Sequence, residues 1–394
     1  MQQVRIGDLC SYAKGLSIPR DRTNPDKDIA YLHYGDLYKK YDFRLNLDEV
    51  WDEIIKIDSN ERCKPEQVLN DGDIVFTLTS ESVDDLGHST LIINKNHLPL
   101  VSGMETTILH IIDKTRCLPS YLNYVFKSNW FRQVLRQYVT GMKVYRVHPR
   151  DLMDIEVPLP DLSRQHEVCN LLNPISDCID VNTKINDYLG KLAREMFEHE
   201  ANMYDTVTMS LSKCTLINKG SLSSKTHDQV FHYLDTGNIT NNFVKSYQRF
   251  RYEELPSRAR RLVKEGDVVY STVRPNQLHF GLLISVPENC VVSTGFAVIR
   301  SKDSRISNEI IYLSLTSSNV IEYLQGIAES STSTYPSITS NDLGNIEVPI
   351  ISDNIQKTLK LIFKIINSNQ CQNRILNDLR ERILEFLLKR NSDK

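Results

Sequence analysis

The chain predicts a mixed α/β (α+β) protein built as an internal duplication, with two similar globular units and two long helices that form a coiled coil. Three observations predict this. First, the segment Asp151-Leu152-Met153-Asp154-Ile155-Glu156-Val157-Pro158 recurs as Asp342-Leu343-Gly344-Asn345-Ile346-Glu347-Val348-Pro349, 191 positions later. Second, short β-rich runs punctuated by Gly-Asp turns precede each copy of that segment. Third, an apolar heptad run follows each copy.

The order of elements repeats throughout. Tyr31-Leu32-His33-Tyr34-Gly35-Asp36-Leu37 answers Tyr233-Leu234-Asp235-Thr236-Gly237-Asn238-Ile239, and Asp71-Gly72-Asp73-Ile74-Val75-Phe76 answers Glu265-Gly266-Asp267-Val268-Val269-Tyr270. Gln165 and Gln356 open the helical runs, and Asn186-Asp187 matches Asn377-Asp378 within them. The offset falls from 202 to 194 to 191, so the second copy is shorter in its loops. A repeat this long is no solenoid, whose period is roughly 20–50 residues.

In the first unit, Asp73–Leu78 and Thr106–Ile111 read as strands, and Ser120–Gln137 reads as one amphipathic helix. In the second, Val268–Thr272 and Phe296–Ile299 are the strands and Ile310–Leu324 the helix. In the first helical run, Leu171, Ile175, Cys178, Asn182, Ile185, Leu189, Leu192 and Met196 form an a/d seam. Pro174 would break a helix interior, so this helix is expected to start there with Asn173 as its cap. In the second run the expected seam is Ile365, Asn369, Gln372, Leu376, Leu379, Ile383 and Phe386. Each rod, about 30 residues long, would span about 45 Å. The heptads alone fit equally well two helices that merely pack two domains together.

Composition bounds the function. The 394 residues suffice for two or three domains, and a hydrophobic content of 40% with 25% charged residues is ordinary for a soluble chain. No run approaches the roughly 20 apolar residues of a membrane span, and the first residues lack the apolar stretch of a signal peptide. Eight scattered cysteines without a Cys-x-x-Cys pair suggest reduced thiols in a cytoplasmic protein. Net charge is −3, but its distribution is uneven. Residues 114–150 carry eight basic side chains and no acidic one, interleaved with Tyr121, Tyr124, Trp130, Tyr138 and Tyr145. Residues 245–264 carry seven basic side chains against Glu253 and Glu254. Two such polarised stretches fit two phosphate-facing surfaces.

Arg reads guanine, Asn and Gln read adenine, Ser and Thr read either, and Lys positions phosphates. On that chemistry the candidate DNA contacts are Lys143, Tyr145, Arg146, His148 and Arg150 in the first unit. In the second they are Ser271, Arg274, Asn276, Gln277 and His279, with Ser333, Thr334 and Tyr335 on a strand-preceding loop. Nucleotide-binding glycine motifs, the nucleophile elbow and the His-Glu-x-x-His zinc motif are missing. Asn173-Pro174-Ile175-Ser176 holds only the first half of an adenine methyltransferase motif, and His166-x-x-Cys169 is isolated. The chain is therefore expected to be no enzyme by itself and to bind no metal.

The doubled order of globular unit, Ile-Glu-Val-Pro strand and Gln-led heptad helix resembles the specificity (S) subunit of type I restriction–modification systems. The segments Gly266–Pro275 and Ser331–Ile338, the latter running into Asp342–Pro349, carry the resemblance further, and it covers essentially the whole chain. It implies target recognition domains at residues 1–160 and 206–351, and helical spacers at 161–205 and 352–394 pairing as an antiparallel coiled coil. Each recognition domain would read one half of a bipartite, asymmetric double-stranded DNA target. The spacers would dock two methyltransferase (M) subunits through Ile175, Cys178, Asn182, Ile185, Leu189, Leu192, Met196, Leu376, Leu379, Ile383 and Phe386, with restriction (R) subunits joining. S-adenosylmethionine, ATP and Mg would then sit on those partners, with no cofactor on this chain. The first copy departs from the pattern: Thr77-Leu78-Thr79-Ser80 stands where the second has Ser271-Thr272-Val273-Arg274, and Gly141–Arg146 replaces Thr332–Ser337. A system whose methylation and cleavage domains share one partner chain fits the same residues. From a different class, so does a scaffold with two protein-binding domains, whose affinity would be insensitive to salt.

Overall fold

The computed structural model describes residues 2–19, 22–24, 26–83, 86–203, 206–222, 229–331 and 336–389. The candidate contacts Ser333, Thr334 and Tyr335 lie outside them. Contacts divide the chain into two compact units, one of residues 1–179 with 374–394 and one of residues 180–373.

The first unit holds a five-stranded sheet in the order Cys10–Lys14, Thr106–Ile111, Ile74–Thr77, Ser89–Ile93, Arg44–Asn46. A three-stranded sheet in the order Lys56–Ile57, Ile29–Leu32, Leu100–Ser102 accompanies it, and its last two strands run parallel. The second unit repeats the plan. Thr215–Ile217, Phe296–Ser301, Asp267–Ser271 and Phe280–Leu283 form one sheet. Gln248–Arg251, Val230–Leu234, Cys290–Ser293 and Ala259–Leu262 form the other, with the inner two parallel. The repeated Ile-Glu-Val-Pro segments become Glu156–Leu159, antiparallel to Gln2–Arg5, and Glu347–Pro349, antiparallel to Thr208–Ser210.

The repeat is also visible in single bonds. Gly72 and Gly266 take left-handed φ values of 86° and 85° ahead of buried aspartates. Asp73 accepts from the Asn70 amide and Asp267 from the Lys264 amide, each at 2.7 Å.

The helices differ from expectation at serines. Ser120–Gln137 is two helices, Pro119–Lys127 and Asn129–Arg136, and the second copy is likewise Asn308–Leu315 and Ser318–Ser330. Ser128 and Ser317 are extended, with ψ values of 147° and 145°, which interrupts the helical ladder. The Ser128 hydroxyl donates to the Val125 carbonyl and accepts from the Phe131 amide, a local bonding option that competes with helix continuation. The bend lets Phe126 and Phe131 both bury, with ring centroids 4.9 Å apart.

The first long helix spans Leu162–Ala201 and the second Asp353–Lys389. Pro174 therefore lies inside the first helix rather than at its start. Proline there frees the Asn170 carbonyl, and both residues are exposed. Asn173 is not a cap; its side-chain oxygen accepts from the Tyr124 hydroxyl.

Pairing of the long helices is antiparallel. In the second unit, Asn182 donates to Gln372 and Asn373, while Asn186 donates to the Ile366 carbonyl and accepts from Asn369. In the first unit, Arg380 donates to Ser176. Partner numbers fall as helix numbers rise. Asn182 and Asn373 stand 191 positions apart, so the same position of the repeat meets itself.

The expected seam of the second helix holds at Asn369 and Gln372 but needs correction at its apolar positions. Its buried apolar positions are Leu359, Ile362, Phe363 and Ile366 in the second unit and Leu384 and Leu387 in the first, packed on the globular cores. Ile365, Leu379 and Phe386 are exposed. On the first helix Ile175 packs on the first core, Leu189 and Met196 pack on the second, and Ile185 and Leu192 are exposed. The helices touch one another through amides in mid-length and bury their ends against domains. No helix among the described residues is long and apolar enough to cross a membrane.

Candidate nucleic-acid interface

In the first unit the central strand Ile74–Thr77 leads into Thr79–Ser80, which pair antiparallel with Tyr145–Arg146. The Val147 amide donates to the Leu78 carbonyl at 2.9 Å. Thr140 and Arg146 exchange backbone bonds at 2.8 and 2.9 Å, closing a loop whose tip is Gly141-Met142-Lys143-Val144. Gly141 is at φ +101°, and a Cβ there would lie 2.1 Å from the Val144 carbonyl oxygen. Glycine alone permits this return, so the loop has a fixed path. The structure brings Lys143, Tyr145, Arg146, His148 and Arg150 together on that path, all exposed except the half-buried Tyr145. His148 accepts from the Arg150 amide through Nδ1 and caps Pro149–Asp154.

The second unit builds the same junction. The Ile338 amide donates to the Thr272 carbonyl at 2.9 Å, the counterpart of Val147 and Leu78. Val273 bridges Ser337, and the Arg274 amide donates to the Pro336 carbonyl. Arg274 and Leu278 bracket the turn Pro275–Gln277 in left-handed conformations, φ 48° and 58°. Such backbone in bulky residues concentrates at functional sites. Arg274, Asn276 and Gln277 are exposed, and the Asn276 amide is held by the Gln325 side chain. His279 donates from Nδ1 to the Ile239 carbonyl at 2.7 Å. Ser271 is placed differently: it is 3% exposed and its hydroxyl donates to the Val273 carbonyl, so it shapes the loop from beneath.

Sequence reasoning missed two features here. One is Met142, 91% exposed at the tip of the first loop. The other is the hairpin Ile239–Thr240 with Phe243–Val244, whose Asn242 amide donates to the Phe280 carbonyl beside His279. Its turn residues Asn241 and Asn242 are both left-handed, and that Asn-Asn dipeptide was a readable turn signal. The basic stretch 245–264 supplies the two edge strands of the second sheet, with Arg249, Arg251, Arg258 and Arg260 exposed.

The first cluster thus offers lysine and arginine cations with a tyrosine, and the second an arginine with two side-chain amides and an imidazole, each on a fixed backbone. Those groups suit phosphates and base edges. Among the described residues no group of His, Cys, Asp and Glu could hold a metal ion. The cysteines are free, and burial pushes the Cys117, Cys169 and Cys290 thiols up to about 12, 11 and 12, which leaves them protonated. Cys169 packs in the first core while His166 is exposed, so they form no metal pair.

A family model for the type I restriction modification DNA specificity domain matches residues 1–190 and again 209–383. The chain is similar to the HindI specificity subunit of Haemophilus influenzae, 29% identical over 157 residues, 40% of this chain and 34% of that one. It is also similar to the MjaIX specificity subunit of Methanocaldococcus jannaschii, 28% identical over 107 residues, 27% of this chain and 24% of that one. These matches span about a third and a quarter of the relatives' length. A crystal structure of a type I restriction–modification S subunit from M. genitalium superposes with a TM-score of 0.54 at 14% identity, covering 98% of this chain and 96% of that one, which shows a shared fold. The chain belongs to the type I restriction modification DNA specificity family.

Proposed function

We propose that this family member is the sequence-reading subunit of a type I restriction–modification complex, directing methyltransferase and restriction subunits to a bipartite, asymmetric DNA target. The observation that carries the reading is the repeated junction. One backbone bond, Val147 to Leu78 and again Ile338 to Thr272, presents two different sets of candidate side chains from two copies of one fold. Lys143, Tyr145, Arg146, His148 and Arg150 would read one half-site. Arg274, Asn276, Gln277 and His279 would read the other, with Ser333, Thr334 and Tyr335 as further candidates.

The long helices would dock the methyltransferase subunits. Leu361, Ile365, Ile375, Leu379 and Phe386 recur in heptad phase along the exposed face of the second helix, and Val181, Ile185, Tyr188 and Leu192 do so on the first. An uncovered apolar stripe of this kind marks a protein interface. Chemistry, with S-adenosylmethionine, ATP and Mg, would belong to the partners. The test is a methylome: co-express the chain with a cognate methyltransferase in a host free of such enzymes and map modified bases. A bipartite asymmetric motif that depends on this chain is the expected result; an active, assembled complex giving no such motif refutes the reading.

A further inference from the structure

Gln165 and Gln356 each occupy the fourth position of a long helix, and each amide makes the same three bonds. Gln165 accepts from the Leu118 amide at 2.8 Å and donates to the carbonyls of Arg116 at 3.0 Å and Pro160 at 2.9 Å. Gln356 accepts from the Ser307 amide at 2.8 Å and donates to the carbonyls of Arg305 at 2.9 Å and Ile351 at 3.0 Å. Both are buried, at 0% and 8% exposure, and both use one acceptor and two donors. Leu118 and Ser307 are the residues directly before the helices Pro119–Lys127 and Asn308–Leu315. Pro160 and Ile351 lie just beyond the repeated strands. Each glutamine therefore ties three parts of its own unit at one point: the long helix, the loop before a core helix, and the chain leaving the globular domain.

We infer that Gln165 and Gln356 are positioning residues that set the angle at which each recognition unit is carried on its own helix, and so fix the gap between half-sites. The inference rests on the bipartite reading above. Apolar packing already attaches each helix to its unit, through Val168 and Leu172 in the first and Leu359 and Phe363 in the second. That attraction is non-directional and by itself does not specify an angle. Hydrogen bonds weaken steeply with misalignment, so three converging on one planar amide hold direction as well as contact. Direction matters because one base pair is about a tenth of a helical turn of DNA. A unit that rocks by a comparable angle meets a half-site one base pair nearer or farther.

The experiment compares assembled complexes carrying Gln165→Met or Gln356→Met with wild type by methylome and thermal melting. Gln165→Glu and Gln356→Glu, which keep the acceptor and lose the donors, serve if a methionine variant does not fold. The expected result is that both half-sites persist. Methylation at targets with a gap one base pair longer or shorter rises about tenfold, and the two variants yield the same additional gap lengths. An unchanged gap spectrum with both half-sites retained, even with a lower Tm, reduces the glutamines to structural groups and overturns the inference. Loss of one half-site alone also overturns it, since that reports local unfolding. Absence of a bipartite motif from the wild-type complex refutes the underlying reading instead.

Discussion

Raising pH should loosen the first unit and leave the second untouched, because one repeated bond has two different cations. Asp73 and Asp267 are equivalent buried carboxylates. Asp73 is bonded by His110 Nδ1 at 2.9 Å, while Asp267 receives two 2.6 Å bonds from Arg300. His110 also bonds the Glu66 carbonyl through Nε2 at 2.9 Å. Both ring nitrogens face acceptors, so only the imidazolium satisfies both. The bond to Asp73 holds the His110 pKa above its ordinary value; burial opposes this, and the Glu66 carbonyl adds to the rise. A pKa raised in the folded state gives stability that is full below the unfolded value of about 6.5 and is lost as pH climbs through the folded value. A charge-assisted bond contributes about 1.5–3 kcal/mol and a neutral one about 0.5–1.5, so the loss is about 1–2 kcal/mol. That is roughly a five- to thirtyfold change in the local opening equilibrium. Hydrogen exchange at the Asn70 amide, which bonds Asp73, should accelerate by that factor beyond intrinsic base catalysis. The Lys264 amide, which bonds Asp267, should follow intrinsic catalysis alone. The variant His110→Arg should flatten the Asn70 response. Equal acceleration at both amides, or none at Asn70, would refute the argument.

Three further outcomes follow from the interface. Gly141→Ala places a Cβ against the Val144 carbonyl at positive φ, costing about 1–3 kcal/mol at the loop; affinity for a first-half-site probe should drop, with Tm lowered by no more than about 10 °C and the first unit still folded by circular dichroism. Lys143→Ala should lower the slope of log affinity against log salt by about 1, across all sequences, whereas Arg146→Ala should relax preference at one base position by about 1–3 kcal/mol; equilibrium titrations at several salt concentrations separate the two. Leu379→Ser with Phe386→Ser, on the exposed stripe, should leave stability within about 0.5 kcal/mol and abolish co-purification with the methyltransferase subunit.

The duplication was the most legible feature because it needs no knowledge of packing. Aligning the copies placed Leu78 opposite Thr272 and Val147 opposite Ile338, and the same hydrogen bond joins each pair. The helix breaks were hidden, since the apolar period runs through Ser128 while the serine's own bonds turn the chain. Asn369 and Gln372 of the expected second seam do meet the first helix, but its apolar members Ile365, Leu379 and Phe386 lie on another face, because that helix carries two apolar faces. Ile365, Leu379 and Phe386 satisfy the heptad outward, and Ile362, Ile366 and Leu387 satisfy the domain cores inward. Periodicity fixes a stripe without saying which surface covers it. Pro174 misled for a related reason: a proline costs a helix interior about 3 kcal/mol without necessarily ending it, and the packing of this long helix on both sides of Pro174 carries the helix through.

What the two copies share and what they vary suggests a final prediction. They share backbone bonds, a buried aspartate turn and the glutamine tie, none of which depends on loop side chains. They vary in the loop residues those bonds deliver, Lys143 and Arg146 in one copy and Arg274 and Asn276 in the other. A backbone bond accepts almost any side chain, so half-site preference can change without cost to the scaffold. The helix contact has the same indifference at its centre, where Asn182 bonds Asn373, its own counterpart. Replacing the second recognition unit with a second copy of the first should therefore preserve the helix pairing. On antiparallel helices, two identical readers should direct the partner's methylation to an inverted repeat of the first half-site, separated by the wild-type gap. A direct repeat in the methylome would show that the units are not carried in opposite senses. A changed gap would show that the recognition loops, rather than helices and glutamine ties, set the spacing.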